Sequence, residues 1–597
     1  MERRSGLKGY LRRRLRRILD EDEDDVPFRA GPSRAEEAQT SLEYKRIPVA
    51  DINPLWIDLV TVHAWMSACD ELHDCAQQSD FGDPPTWLID IEDECLVAPP
   101  STAVRYFALS YVWGEVKTTK LTTTTIHAFC QPGVFSATNN TDVHIPKTIR
   151  HAIGLVKALG ERYLWVDALC IAQDDDANFH NELRNMGAIY HKAYATVVAA
   201  TAWDADEGLR GLEGISPPRH IASNFADDLH KYLDPQTMIW NSRGWTFQEG
   251  QLSRRMLMFC GHTAIWRCTR CTIDESGCCQ TLSKEAAFGS LSSLGAVNKG
   301  GFETLPVSSA SKPCLQFQLH AYFKDVVAPY NTRSFTQESD LPRAFAGIAH
   351  FLEQNAAVDS IFRDGFSWGL PLANFAHGLT WCTSNEDLRP RSTDLGIPSW
   401  SWLAWEGNII ADPMNLDFDD IESGTFAAVG HLRIQWNPSN IDIPVCRCSH
   451  ASSGDSLHIV AQRCNIRPEF NWKKHAVTLH RTNHPILHGE HAMEIAFLIA
   501  DRPGDIGDPS LFPDSYTVEL VAVRKFEAYL ERWVSGKRVQ ETATYIRALW
   551  IAPQATASGD FEGHGTLRAR RQGVAIVEEG LWERNVRGGG KLLTVIE

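Results

Sequence analysis

A chain of 597 residues is too long for one hydrophobic core and calls for two or three domains. Its 43% hydrophobic and 22% charged content is that of a soluble globular protein, and a formal charge of −17 argues against a general nucleic-acid binder. No apolar run nears the roughly 18 residues that cross a bilayer, no signal-peptide core opens the chain, and fifteen scattered cysteines read as reduced thiols; a cytoplasmic protein is expected, with no membrane span and no nucleic-acid partner.

Residues 1–40 read as a charged, solvated tail in which eight cations, from Arg3 to Arg17, precede the acidic run Asp20–Asp25. Residues 41–104 form a flanking segment. From 105 to 255 the pattern alternates strand and helix. Tyr106–Val112 is a strand; Pro146 opens a helix with Ile149, Ile153, Val156 and Leu159 at helical spacing, and Gly160 closes it. Tyr163–Asp167 is the next strand, Asn178–Lys192 an amphipathic helix with Phe179, Leu183, Met186 and Tyr190 on one face, and Ala195–Ala200 a third buried strand. Such alternation predicts an α/β domain of the open, flavodoxin-like kind, a parallel sheet with flanking helices. Residues 256–597 read as a mixed, β-rich C-terminal region, interrupted by a helix at Leu341–Gln354 and ending in a strand at Leu592–Ile596.

Five ordered blocks carry a family resemblance: ALSYVWG (Ala108–Gly114), IPKTIRHAI (Ile145–Ile153), YLWVDALCIAQDD (Tyr163–Asp175), MGAIYHKAYATVVAA (Met186–Ala200) and RGWTFQE (Arg243–Glu249). They resemble the fungal heterokaryon-incompatibility (HET) domain, and the stretches around Tyr330 and Ile397 resemble the flanks of such proteins. Ala172 departs from the family, which carries an acidic residue there. The resemblance implies an effector of non-self recognition, in which fusion of incompatible fungal cells triggers programmed cell death. HET domains are in turn similar to TIR domains, some of which cleave NAD. RGWTFQE places Trp245 four positions before Glu249, similar to the Trp-Cys-x-x-Glu element of TIR NADases, whose Glu is catalytic; Thr246 replaces the Cys. The resemblance thus implies NAD as a substrate, no resident cofactor, and Glu249 as the candidate catalytic residue. The alternative is a non-enzymatic signalling scaffold that self-associates or binds a protein partner.

Cleaving the nicotinamide–ribose bond builds positive charge on the sugar, which a nearby carboxylate stabilises. Glu249 fits that role and Trp245 offers a stacking surface; the structural alternative pairs Glu249 with Arg243, Arg254 or Arg255. Ser110, Tyr111 and Trp113 are expected to line the first loop, with Gly114 at a positive-φ turn. Asp167, at a strand end, is a candidate substrate-binding residue or an anchor partnered by Arg150 or Arg162, and Gln173, Asp174 and Asp175 either shape the same edge or cap the next helix. Cys170 has no His fixed beside it in the sequence and reads as a packed thiol. Two cysteine groups invite a metal reading: Cys260, His262, Cys268, Cys271, Cys278 and Cys279, where the adjacent Cys278–Cys279 pair is poor geometry, and a weaker set of Cys69, His73 and Cys75. Buried thiols are the default in each, and no metal site is expected.

Overall fold

The computed structural model describes residues 52–281 except 74, 76–80, 102, 137–142, 222–237 and 278, then 315–411 except 357 and 384–387, and the elements given below between 433 and 596. The charged tail and the Cys278 position lie outside the described residues. By contact density the chain divides into Met1–Ser290 and Leu291–Glu597.

The N-terminal unit is built on a mixed sheet. After helix α1 (Leu59–Leu72) come β1 (Leu88–Asp90), β2 (Cys95–Val97) and β3 (Phe107–Ser110), then α2 (Lys147–Ala158), β4 (Tyr163–Trp165), the single turn α3 (Asp167–Cys170), α4 (Asp176–Lys192) and β5 (Ala195–Ala199). The turn α5 (Ile239–Ser242) and helix α6 (Gly244–Leu252) lead into β6 (Arg255–Cys260), β7 (Thr263–Cys268), β8 (Cys271–Asp274) and β9 (Cys279–Thr281). Strand order is β2-β1-β4-β3-β5-β6-β7-β8-β9. The four central strands, β4, β3, β5 and β6, are parallel, and every other pairing is antiparallel.

The parallel centre follows from its residues. FALS and ATVVA are buried at every position, as strands covered on both faces must be. Between them, α2 turns Ile149, Ala152, Leu155 and Val156 onto the sheet with Pro146 at its N-cap, and Gly160 takes φ +73° where the chain reverses into β4. Met186 and Tyr190 of α4 are buried, while Phe179 and Leu183 are half-buried against the same core. The sheet does not stop at residues 105 and 255. Arg255–Cys260 pairs in parallel with β5, and β7–β9 continue it antiparallel; β1 and β2, three residues each, close the other edge.

The C-terminal unit is strand-rich. Val518–Val534, Lys537–Pro553 and Leu567–Glu578 pair antiparallel, and Leu592–Ile596 joins the last of them in parallel. Leu341–Gln354 is a helix, as its spacing requires, and Phe345 meets the Trp402 ring edge-on at 5.0 Å. Trp400 and Trp402 are fully buried but do not share a strand: Ser401 caps a single 3-10 turn at Trp402–Ala404, accepting from the Leu403 amide. Arg571 lies 3.4 Å over the Trp381 ring and donates to Leu379 O at 2.7 Å.

Candidate functional site

The chain places β4 on one side of β3 and β5 on the other, so the crossover direction reverses at β3. The carboxyl end of such a strand is where open α/β sheets hold ligands. Ser110 is the last residue of β3. Its hydroxyl donates to Glu249 Oε2 and accepts from Trp240 Nε1 at 2.5 Å. The end of β3 thus meets the consecutive elements α5 and α6, 130 or more residues later in the chain, on one oxygen.

Tyr190, on α4, completes the environment. Its hydroxyl donates to Leu109 O at 3.1 Å and also bonds Glu249. Burial, against the Ser110 hydrogen bond and with the charge of Asp167 adding to it, lifts the Glu249 carboxyl to about 8. The structural alternative, an ion pair of Glu249 with Arg254 or Arg255, does not form. Arg254 donates to His191 O and Arg255 pairs with Asp70 at 2.7 Å, while Arg243 acts on Glu249 only as a neighbouring charge. Half-buried Arg254 and buried Arg255 already have oxygen partners, which leaves a hydroxyl for the carboxyl.

Asp167 marks a second correction. β4 ends at Trp165, and Asp167 opens the turn α3 instead of extending the strand, its carboxylate accepting from its neighbour's amide, Ala168 N, at 2.7 Å. Neither Arg150 nor Arg162 reaches it: Arg150 donates to Ile145 O, and Arg162 pairs with Asp90 at 2.6 Å. The indole Nε1 of Trp113 donates to it at 2.8 Å and Tyr111 bonds it too, while burial lifts it to about 6. Replacing Trp113 by Phe, which keeps an aromatic ring but removes this donor, is expected to cost about 1–3 kcal/mol in thermal or urea unfolding.

The predicted loop residues therefore gather as two linked carboxyl groups, Glu249 with Ser110 and Asp167 with Tyr111 and Trp113. Gly114 takes φ +62°, as expected, and its Cα faces the loop after β5, where a Cβ would lie 2.4 Å from that of Asp204. Trp245, half-buried, packs on the core one helical turn before Glu249. Trp240 and Tyr190 were missed as site residues. Tyr190 read only as core, although a tyrosine on an apolar face needs a hydroxyl partner. Asp174 ties off a loop, accepting from Thr123 N at 2.7 Å and Thr123 Oγ1 at 2.8 Å. Cys170 is fully buried, its thiol pushed up by burial. Two clefts, of 550 Å³ along Asn53–Thr61 and 360 Å³ along Phe179–Asn185, share no residue with the two-carboxyl network.

Residues 106–249 match the family model described as heterokaryon incompatibility protein (HET), a span running from the residue before β3 to Glu249 itself. The chain carries a HET domain. No curated protein and no solved structure matches the chain. The HET domain supplies Ser110, Tyr111, Trp113, Asp167, Tyr190, Trp240, Trp245 and Glu249, whereas β7–β9 and α1 lie outside the matched span. Among the described residues no helix is long and apolar enough to cross a membrane.

The charge state of Glu249 in the HET domain has a consequence for stability. An unfolded glutamate releases its proton near pH 4.3, roughly; folded, Glu249 holds it to about 8. Between these values the native state binds more protons, so the residue's contribution is complete at low pH and is lost as pH rises through 8. Glu249→Gln, neutral throughout, is expected to melt near the wild type at about pH 5 and above it at about pH 8.5. The same gap at both pH values would show a carboxyl ionised across the range.

Proposed function

We propose that the HET domain is the effector of a heterokaryon-incompatibility response and acts by hydrolysing NAD at the Ser110–Glu249 site, with the C-terminal unit as its regulatory or recognition part. The observation that carries this reading is the Glu249 carboxyl, held beside Ser110 at the carboxyl end of the strand where the crossover direction reverses. Its similarity to the catalytic Glu of TIR NADases points the same way.

In this reading the bond between ribose C1′ and the nicotinamide nitrogen breaks, its electron pair leaves with nicotinamide, and water adds to the cationic sugar. ADP-ribose, nicotinamide and one proton result. Glu249 supplies negative charge beside C1′. In the resting protein it is protonated, but the positive nicotinamide ring favours the ionised carboxylate as it approaches, and the proton passes to solvent. Ser110 keeps the ionised oxygen in place, and Asp167 adds a second carboxylate to the field of the site. Trp113 and Trp245 offer flat surfaces for the ring systems. At 6% exposure, Glu249 meets a substrate only after neighbouring side chains move aside.

That burial favours a second reading, in which the protonated Glu249 is a structural bridge from Ser110 to Tyr190 and the domain signals by self-association or by binding a protein partner. Trp203, 73% exposed in the loop after β5, is the kind of surface such contacts use. Cellular NAD after expression of the wild type, beside Glu249→Gln, separates the two. Loss with the wild type alone supports hydrolysis; toxicity from both proteins without NAD loss supports the scaffold.

A further inference from the structure

One member of the larger cysteine group, Cys268, meets all three of the smaller set, Cys69, His73 and Cys75, in the fold. Cys69 lies in the last turn of α1 and His73 is that helix's C-cap, four positions on and hence on one face. Cys75 follows two residues later, and Cys268 is the last residue of β7. One ligand atom from each, three Sγ and a ring nitrogen, lies within 4.8 Å of all the others. His73 Nδ1 is 3.4 Å from Cys268 Sγ. A tetrahedron with zinc–sulfur bonds of about 2.3 Å has edges of about 3.8 Å, so these atoms need to close in only slightly.

We propose that Cys69, His73, Cys75 and Cys268 form a Cys₃His zinc site that fastens α1 to β7, outside the span matched by the HET family.

The surroundings are those of a metal-thiolate centre. The amides of Arg270 and Cys271 both point at Cys268 Sγ, each at 3.4 Å, and Thr269 Oγ1 is 3.0 Å from Cys75 Sγ; such hydrogen bonds hold thiolate ligands in place. Three thiolates and a neutral imidazole around Zn²⁺ carry a net charge of −1, and cations stand next to it. Arg255 interacts with Cys69, Arg254 with Cys75 and Arg267 with Cys268. The three cysteines are at most 4% exposed, whereas the half-buried His73 leaves a path for the ion. Cys271, with Sγ 3.8 Å from that of Cys268, is the nearest competitor for a ligand position. It comes from the start of β8, and its amide already serves Cys268 as donor.

The test is metal content and cobalt binding on the full chain. Purified protein is expected to hold one zinc per chain. After reduction and stripping, it should take up one Co²⁺ and show thiolate charge-transfer bands with the strong visible bands of tetrahedral cobalt. Cys75→Ser should weaken Co²⁺ binding by more than about 100-fold, the upper end of what losing a mere outer-shell partner does. Cys271→Ser should stay within about threefold of the wild type, because it removes no assigned ligand. A wild type that takes up neither Zn²⁺ nor Co²⁺ when reduced overturns the proposal, and needs no variant to fold. So does a cobalt spectrum without thiolate bands, or loss of binding in Cys271→Ser with Cys75→Ser unaffected.

Discussion

Glu249→Gln is expected to lower NAD turnover by at least about 100-fold while leaving the HET domain folded. Glutamine keeps the volume of a side chain that is 6% exposed and keeps an oxygen to accept from Ser110. What it removes is the ability to become negative when a cation forms beside it. Removing a single preorganised electrostatic group of this kind costs roughly 100- to 1000-fold in other active sites, because no water is present to replace it. Alanine would confuse the result, since it opens a cavity beneath Tyr190 and Trp240 as well. The wild type carries a further signature. Its turnover should rise with pH as Glu249 is released, with an apparent midpoint at or below about 8, because bound substrate favours the ionised form. Purified wild type and variant, assayed for nicotinamide release over this range, decide the matter. Undiminished release by Glu249→Gln removes that residue from the mechanism.

The parallel centre of the sheet was legible because its strands FALS, YLW and ATVVA are short apolar runs between helices with clear apolar stripes. The sheet's edges were not. β1 and β2 are three residues each, too short to show a period, and RMLMFC in β6 is apolar at five of six positions, so it gave no sign of which neighbour it joins. The candidate site divides the same way. Ser110, Tyr111, Trp113, Asp167 and Glu249 stand at recognisable strand ends or in a matched block. Their partners do not follow from local pattern: Trp240 reaches Ser110 across 130 residues, and Arg162 was claimed by Asp90 instead of Asp167. The cysteine cluster shows the limit most plainly. Each half alone lacked a well-spaced second pair, and the deciding contact, His73 to Cys268, spans 195 residues.

Arg219→Met is expected to destabilise the N-terminal unit by about 3–5 kcal/mol, more than any other single substitution considered. The guanidinium is fully buried and grips Glu275 with both terminal nitrogens, at 2.5 and 2.6 Å. It also donates to His262 O at 2.8 Å, Asn53 O at 2.9 Å and Trp56 O at 3.1 Å. One cation thus joins the segment before α1 to the start of β7 and the end of β8. Methionine fills most of the space but leaves a carboxylate that is 7% exposed, held only by Ala264 N at 2.8 Å and Thr263 Oγ1 at 3.2 Å. An unpaired buried charge, not the loss of packing, dominates the cost. The double variant Arg219→Met/Glu275→Leu removes both charges and should therefore recover part of the loss, a coupling that urea unfolding of the two singles and the double measures directly. Purely additive losses would mean that water already screens the pair. Arg219 holds the chain just ahead of α1 at the start of β7, and the cysteine cluster holds the end of α1 at the last residue of β7. Losing the arginine should thus loosen the front of that helix while its Cys69 end stays docked, so protection from amide exchange should fall first around Asn53–Ile57.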